Sequence, residues 1–462
     1  MRARFFLSVL AVLIPVVPAL AQAPGPEAAY VVLGEDGAPV VRAITTGPDC
    51  PPLSVDGRVR PMRVRAPAGV EPQRPTSSTP ALSKPADFVV TVCEATAPRG
   101  ARRAVVGGRR LRLSAPAYRR IVVIGDTGCR LKATDGAYQA CNDPSAYPFA
   151  RVAAAAAAWK PDLVLHVGDY LYRENPCPAD QAGCAGSPWG YGWDAWRADF
   201  FAPGAALLAA APWIVVRGNH EECPRAGQGW WRFLDPHPLL PGRDCNAAAD
   251  DPVGDASPPY AVPLGGGTQV VVLDSADTPN APLAATDPRA AQFAADDAAL
   301  RRLVRRSART ILTFHHPILA FSAKEKDGRI ELRPGNQGLI SVLAARERWL
   351  TPPQVSMILS GHVHVWQQVS FSSPHPTQFV AGFSGTQEDI VPLPERLAED
   401  SSPAPGAIVA AYSAWVDGFG FMTLERTGRD AWAVTVRDGD GKVRDRCRVT
   451  GRRSRCDVAQ VR

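Results

Sequence analysis

Five short segments of the chain carry side chains able to hold a cation or move a proton. They are Gly125-Asp126-Thr127-Gly128, Gly168-Asp169-Tyr170-Leu171-Tyr172, Gly218-Asn219-His220-Glu221, His315-His316-Pro317 and Gly361-His362-Val363-His364. Asp, Asn, His and Tyr are the oxygen and nitrogen donors that a pair of hard or borderline cations requires. Five of the eight histidines fall inside these segments, which concentrates metal-binding capacity in few places. Of the other three, His166 lies within an apolar run and is expected to be a hydrogen-bonded core residue. His237 and His375 sit in Pro-flanked loops and are not expected to bind metal.

The elements that position these groups are legible from the flanking sequence. Each segment follows an apolar run: Ile121–Ile124, Val164–Val167, Trp213–Val216, Thr310–Phe314 and Met357–Ser360. Short, fully apolar runs are the pattern of parallel strands buried on both faces. Glycine at the strand end permits a sharp turn, so the next side chain faces the cleft. In open α/β sheets ligands bind beyond the carboxyl ends of the strands. Between the strands, helices are expected over Arg151–Lys160, with its six consecutive alanines, and near Ala195–Ala210 and Asp296–Arg306, with another ending near Trp349. Residues 24–116 lack helical periodicity and alternate β-rich runs with Pro- and Ser-rich connectors, so a small all-β, sandwich-like domain is expected there. The Arg-rich stretch from Arg99 to Arg120 reads as a solvated hairpin turning at Gly107-Gly108 rather than a nucleic-acid patch.

The first residues carry Arg2 and Arg4, an apolar run from Phe5 to Leu20, and Ala19-Leu20-Ala21, the layout of a secretory signal peptide over 1–21. No later run approaches the ~20 apolar residues of a membrane span. Export to an oxidising periplasm or exterior fits ten cysteines with no C-x-x-C pair. Nearest-neighbour pairing is expected because it keeps loops short: 50–93, 129–141, 177–184, 223–245 and 447–456. Trp189 to Trp196 with Trp230-Trp231 reads as an aromatic core patch, the alternative being a rim for an aromatic leaving group.

The series Gly-Asp, Gly-Asp-x-x-Tyr, Gly-Asn-His-Glu, His-x-Pro, Gly-His-x-His resembles the calcineurin-like metallophosphoesterases over about residues 119–425, and within them the purple acid phosphatases. Most members of the superfamily carry His where this chain has Gly128; here Tyr172 is present instead, which is the purple acid phosphatase pattern. The resemblance implies an α/β fold, a two-sheet metallophosphoesterase sandwich over 117–440, preceded by the β-rich domain and followed by a disulfide-containing tail over 441–462. It implies two metal ions. Asp126, Asp169, Tyr172 and His364 would hold metal one, Fe(III), because a phenolate is a hard anionic donor. Asp169, Asn219, His315 and His362 would hold metal two, which is Zn, Fe or Mn in the family. His220 would orient the phosphate or protonate the leaving oxygen, and His316 is a candidate substrate contact. The implied activity is hydrolysis of phosphate monoesters of small molecules by a metal-bound hydroxide. Phosphodiesters, nucleotides or phospholipid headgroups are the alternative substrates, and a non-catalytic binding protein is the remaining reading. Lys324 and Lys326, after the His-x-Pro segment, are expected to be solvated rather than bound to phosphate. No stable nucleic-acid partner is implied, and the oligomeric state is open.

Overall fold

The computed structural model describes residues 25–74, 80–389, 391, 393–394, 397–398, 400–458 and 460–461. The expected signal peptide, residues 1–21, lies outside the described residues. Two mixed sheets carry the architecture, one of eleven strands and one of eight. At the centre of the first, Arg120–Ile124, Leu163–His166 and Trp213–Val215 run parallel. At the centre of the second, Thr268–Val272, Arg309–Thr313, Val355–Ser360 and Thr377–Ala381 run parallel.

Alternation along these strands explains the layering. Ile121, Val123, Leu165 and Ile214 of the first sheet pack with Val270, Ile311, Met357 and Leu359 of the second in one core. The opposite faces are also buried. Val122, Ile124 and Val164 meet Phe149, Val152 and the aromatic run, while Leu312 and Ile358 meet Leu300, Leu339 and Leu343. Strands covered on both faces have no polar side to show, which is why they read as continuous apolar runs. The aromatic run is core, as expected: Trp193, Trp196, Trp230 and Trp231 are buried together.

The N-terminal strand-rich region is present, and its strands enter the first sheet. Ala28–Leu33 pairs with Pro39–Thr45 and meets Trp213 in parallel through Val32; Thr91–Thr96 and Arg63–Ala66 extend that edge. The Arg103–Val106 and Arg109–Arg112 hairpin turns at Gly107-Gly108, both with positive φ, and joins Leu53–Val55 and Arg58–Arg60 in a small second layer. At the other edge, Gly420–Arg426, Ala431–Asp438, Val443–Thr450 and Arg453–Cys456 continue the same sheet. All ten cysteines pair with their nearest neighbours in sequence.

Two helices differ from expectation. The helix expected over Asp296–Arg306 spans Ala290–Val304, so its acids lie mid-helix, where Asp297 bonds Arg301 Nε at 2.9 Å instead of capping a dipole. The helix expected to end near Trp349 closes at Ala344. No helix among the described residues is long and apolar enough to cross a membrane.

Candidate metal centre

All five polar segments meet beyond the carboxyl ends of the two parallel strand groups. Tyr172 Oη lies 2.9 Å from Asp126 Oδ1, 2.7 Å from Asp169 Oδ2 and 2.9 Å from His364 Nε2. Asn219 Oδ1 lies 3.2 Å from His315 Nε2 and 3.1 Å from His362 Nδ1. Asp169 joins the two groups, because its Oδ2 is also 3.1 Å from His315 Nε2. The seven residues singled out as metal ligands therefore form one continuous cluster.

Close backbone approach makes that convergence possible. A Cβ on Gly168 would lie 2.4 Å from His315 Nδ1, and one on Gly218 would lie 2.0 Å from Asp169 Oδ1. Asp126, Asp169 and His362 take φ of +54°, +60° and +70°. The left-handed region costs a non-glycine residue about 1–3 kcal/mol and is tolerated mainly where function requires it.

Two carboxylates that the sequence reading assigned no role hold the turns. Glu221, fully buried, accepts from the backbone N–H groups of Gly218, Asp169, Tyr170 and Leu171 at 2.8–3.2 Å. Burial and the adjacent Asp169 charge push it up to about 8 despite those donors. Asp199 accepts from the N–H groups of Cys129, Tyr172 and Arg173 and from Arg173 Nε, tying the first segment to the second. Glu221 stood inside a recognised motif; Asp199, in an aromatic helix, carried no local signal.

His220 occupies a third position. Its backbone N–H donates to Asp169 Oδ1 at 2.9 Å, and its ring lies 3.8 Å, centroid to centroid, from that of Tyr172. Nδ1 is 3.0 Å from Glu174 Oε1, an electrostatic contact rather than an aligned hydrogen bond. Glu174 is in turn bound by Arg225 Nε at 3.0 Å and Tyr191 Oη at 2.8 Å. Burial, with the Arg225 charge, lowers His220 to about 4, against the pull of Asp169 and Glu174. Glu174 and Arg225 were not singled out from sequence, although each lies within five residues of a singled-out one.

His316 packs beside the cluster, its ring 4.2 Å from that of His362 and its Nδ1 3.3 Å from Ser275 Oγ. The three remaining histidines find their polar contacts elsewhere, with His375 Nε2 left unpaired among the described residues. His166 meets Thr127 Oγ1 at 3.0 Å, His237 meets Asp235 at 2.8 Å and His375 meets Ser373 Oγ at 3.0 Å. Lys324 and Lys326 are exposed on a hairpin, Ser322–Lys326 with Arg329–Arg333.

The cluster fits cations. The Val167 carbonyl can only accept, so its 2.8 Å contact puts a proton of His315 on Nδ1 and turns Nε2 toward the Asp169 and Asn219 oxygens, where a cation could take its lone pair in place of a second proton; against burial, Asp169 and Asp126 raise the metal-free ring to about 9. The Gln387 carbonyl does the same to His364 at 2.9 Å, aiming its Nε2 lone pair at Tyr172 and Asp126. Outer hydrogen bonds of this kind orient metal-binding imidazoles. Burial, then Asp126 and Asp169, hold the Tyr172 phenol well above its usual range, an arrangement a bound cation reverses. Asp169, His315 and His362 each bring one donor atom within 4.8 Å of the others.

Fold and site together define a metal-dependent phosphoric ester hydrolase. Residues 119–366 match the calcineurin-like phosphoesterase family, and with over half its length inside the match the chain belongs to that family. The fold is similar to that of purple acid phosphatase PPD1 from yellow lupin (Lupinus luteus) seeds, at 14% identity and a TM-score of 0.50, covering 91% of this chain and 74% of that one. It is also similar to PhoD, at 12% identity and a TM-score of 0.54, covering 96% and 93%. None of the curated proteins matches the chain.

Proposed function

We propose that the chain is an exported phosphatase acting on phosphate monoesters of small molecules. Asp126, Asp169, Tyr172 and His364 would hold one cation, ferric iron, and Asp169, Asn219, His315 and His362 a second, Zn, Fe or Mn. The observation that carries the reading is the Tyr172 phenol lying within 2.9 Å of Asp126, Asp169 and His364 at once. When bound, two such cations supply Lewis acidity and an acidified water for in-line displacement at phosphorus. The five paired disulfides and the charged-then-apolar start of the sequence support export.

The chain's own residues divide the remaining work. Asp169 would serve both cations, and Glu221 fixes its backbone by accepting from its N–H. Glu174 faces Nδ1 of His220, so Nε2 is the nitrogen turned toward the cluster, 3.9 Å from Asp169 Oδ2. An arriving phosphate anion raises the ring's proton affinity from its low resting value. Nε2 then carries the proton that orients a phosphoryl oxygen or passes to the leaving oxygen. Metal analysis with rates on p-nitrophenyl phosphate and its bis-ester tests this reading. Two metals per chain and faster monoester hydrolysis are expected, with a visible tyrosinate-to-iron band. Faster bis-ester hydrolysis removes the monoester assignment, and a fully metallated sample without the band removes the ferric one.

A further inference from the structure

A cavity of about 390 Å³ opens directly beside the metal centre, with His362 and Val363 in its wall. That is the size of a small-molecule pocket. Pro317, Ala320 and Phe321, which follow the His315-His316 pair, give it an apolar side. The opposite side is polar and comes from the exposed hairpin and the loop beyond it: Ser322, Arg333, Asn336 and Gln337, with Asn280 nearby.

Two of these polar groups are turned into the protein. Asn336 Oδ1 caps the helix Gln337–Ala344 by accepting from Leu339 N, its amide donates to Pro279 O, and Gln337 Nε2 donates to Gly335 O. Arg333 has neither a carboxylate nor a hydrogen-bond partner for its guanidinium among the described residues. It is exposed, pairs across the hairpin with Ser322, and lines the cavity. Among the described residues, the cavity thus has one cation without a partner, an apolar wall, and His362 of the ligand cluster in its lining. A second cavity, of about 270 Å³, is lined instead by five aspartates and by Arg289, which is already paired with Asp277 and Asp287.

We propose that the cavity beside His362 receives the leaving group of the ester, and that Arg333 selects leaving groups carrying a negative charge of their own. The proposal rests on the phosphatase reading above. The substrate class is therefore a small phosphorylated compound bearing a carboxylate or a second phosphate on the alcohol side. Arg333 is exposed on the hairpin and makes no contact with the seven-residue cluster among the described residues, so its contribution is expected through binding and KM rather than kcat.

The probe pair is 4-carboxyphenyl phosphate and 4-carbamoylphenyl phosphate, equal in shape and different in charge. Comparing each variant with wild type cancels their unequal leaving-group reactivity. Arg333→Gln should lower kcat/KM for the carboxylate ester about fivefold through KM, the upper range for an exposed ion pair. The carbamoyl ester should be nearly unaffected, and Arg333→Glu should widen the effect. Raising the ionic strength should narrow the wild-type preference. An equal response of the two esters to both substitutions overturns the proposal. Calorimetry with 4-carboxybenzylphosphonate and its carbamoyl analogue separates it from the phosphatase reading. If the metallated protein hydrolyses neither ester, the phosphatase reading fails. The subsite then stands if Arg333→Gln weakens only the carboxylate ligand, and falls if it weakens both equally or neither.

Discussion

The two halves of the metal centre are built from different chemistry. Asp126 and Tyr172, with His364, give one half two potential anions; Asn219, His315 and His362 give the other an amide and two imidazoles, all neutral when they bind a metal. Asp169 belongs to both. The first half gathers its charge around a single phenol oxygen, and burial makes that charge costly without a cation. The second gathers lone pairs around Asn219 Oδ1, with burial and the neighbouring His316 and His315 rings keeping His362 well below its usual range. In the reading proposed above, a hard, highly charged ion would suit the first half and a borderline divalent ion the second. The asymmetry teaches that the site is two unlike positions sharing a carboxylate, so substitutions should act on one side or the other.

Asp169→Ala should have the largest effect, since it removes the carboxylate that contacts both groups and is proposed as their shared ligand. Both metals should be lost on dialysis and hydrolysis should fall to background; retention of one full equivalent would show that the halves do not depend on the bridge. His220→Ala belongs to neither half. Turnover should drop about 10²–10⁴-fold, as for loss of a proton-transferring side chain, with both metals still bound. Loss of metal in that variant would falsify the separation of holding from reacting.

Tyr172→Phe tests the first half alone. The visible band should vanish and the first metal should weaken, while the second stays; an outer or single ligand of this kind is worth about 10–100-fold in affinity or activity. A variant that kept its colour would abolish the distinction between the halves. Glu174→Gln acts more mildly, through pH. Glu174 raises the proton affinity of His220, and Arg225 lowers it. A protonated His220 is present below its pKa and lost above it, so the falling limb of kcat should move to lower pH in the variant. An unmoved limb would remove Glu174 from the proton pathway.

The difference between the halves was partly legible in sequence, because ligand type and spacing are local properties. Asp126, Asp169, Tyr172, Asn219, His315, His362 and His364 each sit one to five residues after a strand-like run, and the structure gathers all seven. The parallel strands were legible for the same reason, since burial on both faces leaves an unbroken apolar signature. What stayed hidden is what depends on chain-distant partners. Asp199 clasps segments 26 to 70 residues away from it. Val32 meets Trp213 across the first sheet, a pairing that neither segment announces. The helix at Ala290–Val304 was misjudged at its start because Asp296 and Asp297 look like first-turn acids, although the preceding alanines already favour helix.

Gly128 gives the smallest and most specific test, at the point where this chain departs from most of its superfamily. The position that carries His elsewhere is filled here by the chain itself. A Cβ on Gly128 would lie 2.7 Å from Asp199 Oδ2, 2.7 Å from Tyr172 N and 3.0 Å from Tyr170 O. The segment bearing Tyr172 and the carboxylate that clamps it occupy the space a side chain at this position would need. Absence of the one ligand and presence of the other are therefore coupled by sterics. Gly128→Ala should destabilise the fold by about 1–3 kcal/mol, the cost of overpacking a closed site. It should also loosen the first metal before the second, because Asp199 holds the Tyr172 backbone and has no hydrogen bond to Asn219, His315 or His362. Gly128→His should not restore a ligand. If it bound metal one in a Tyr172→Phe background, the two positions would be interchangeable and the steric coupling would be wrong.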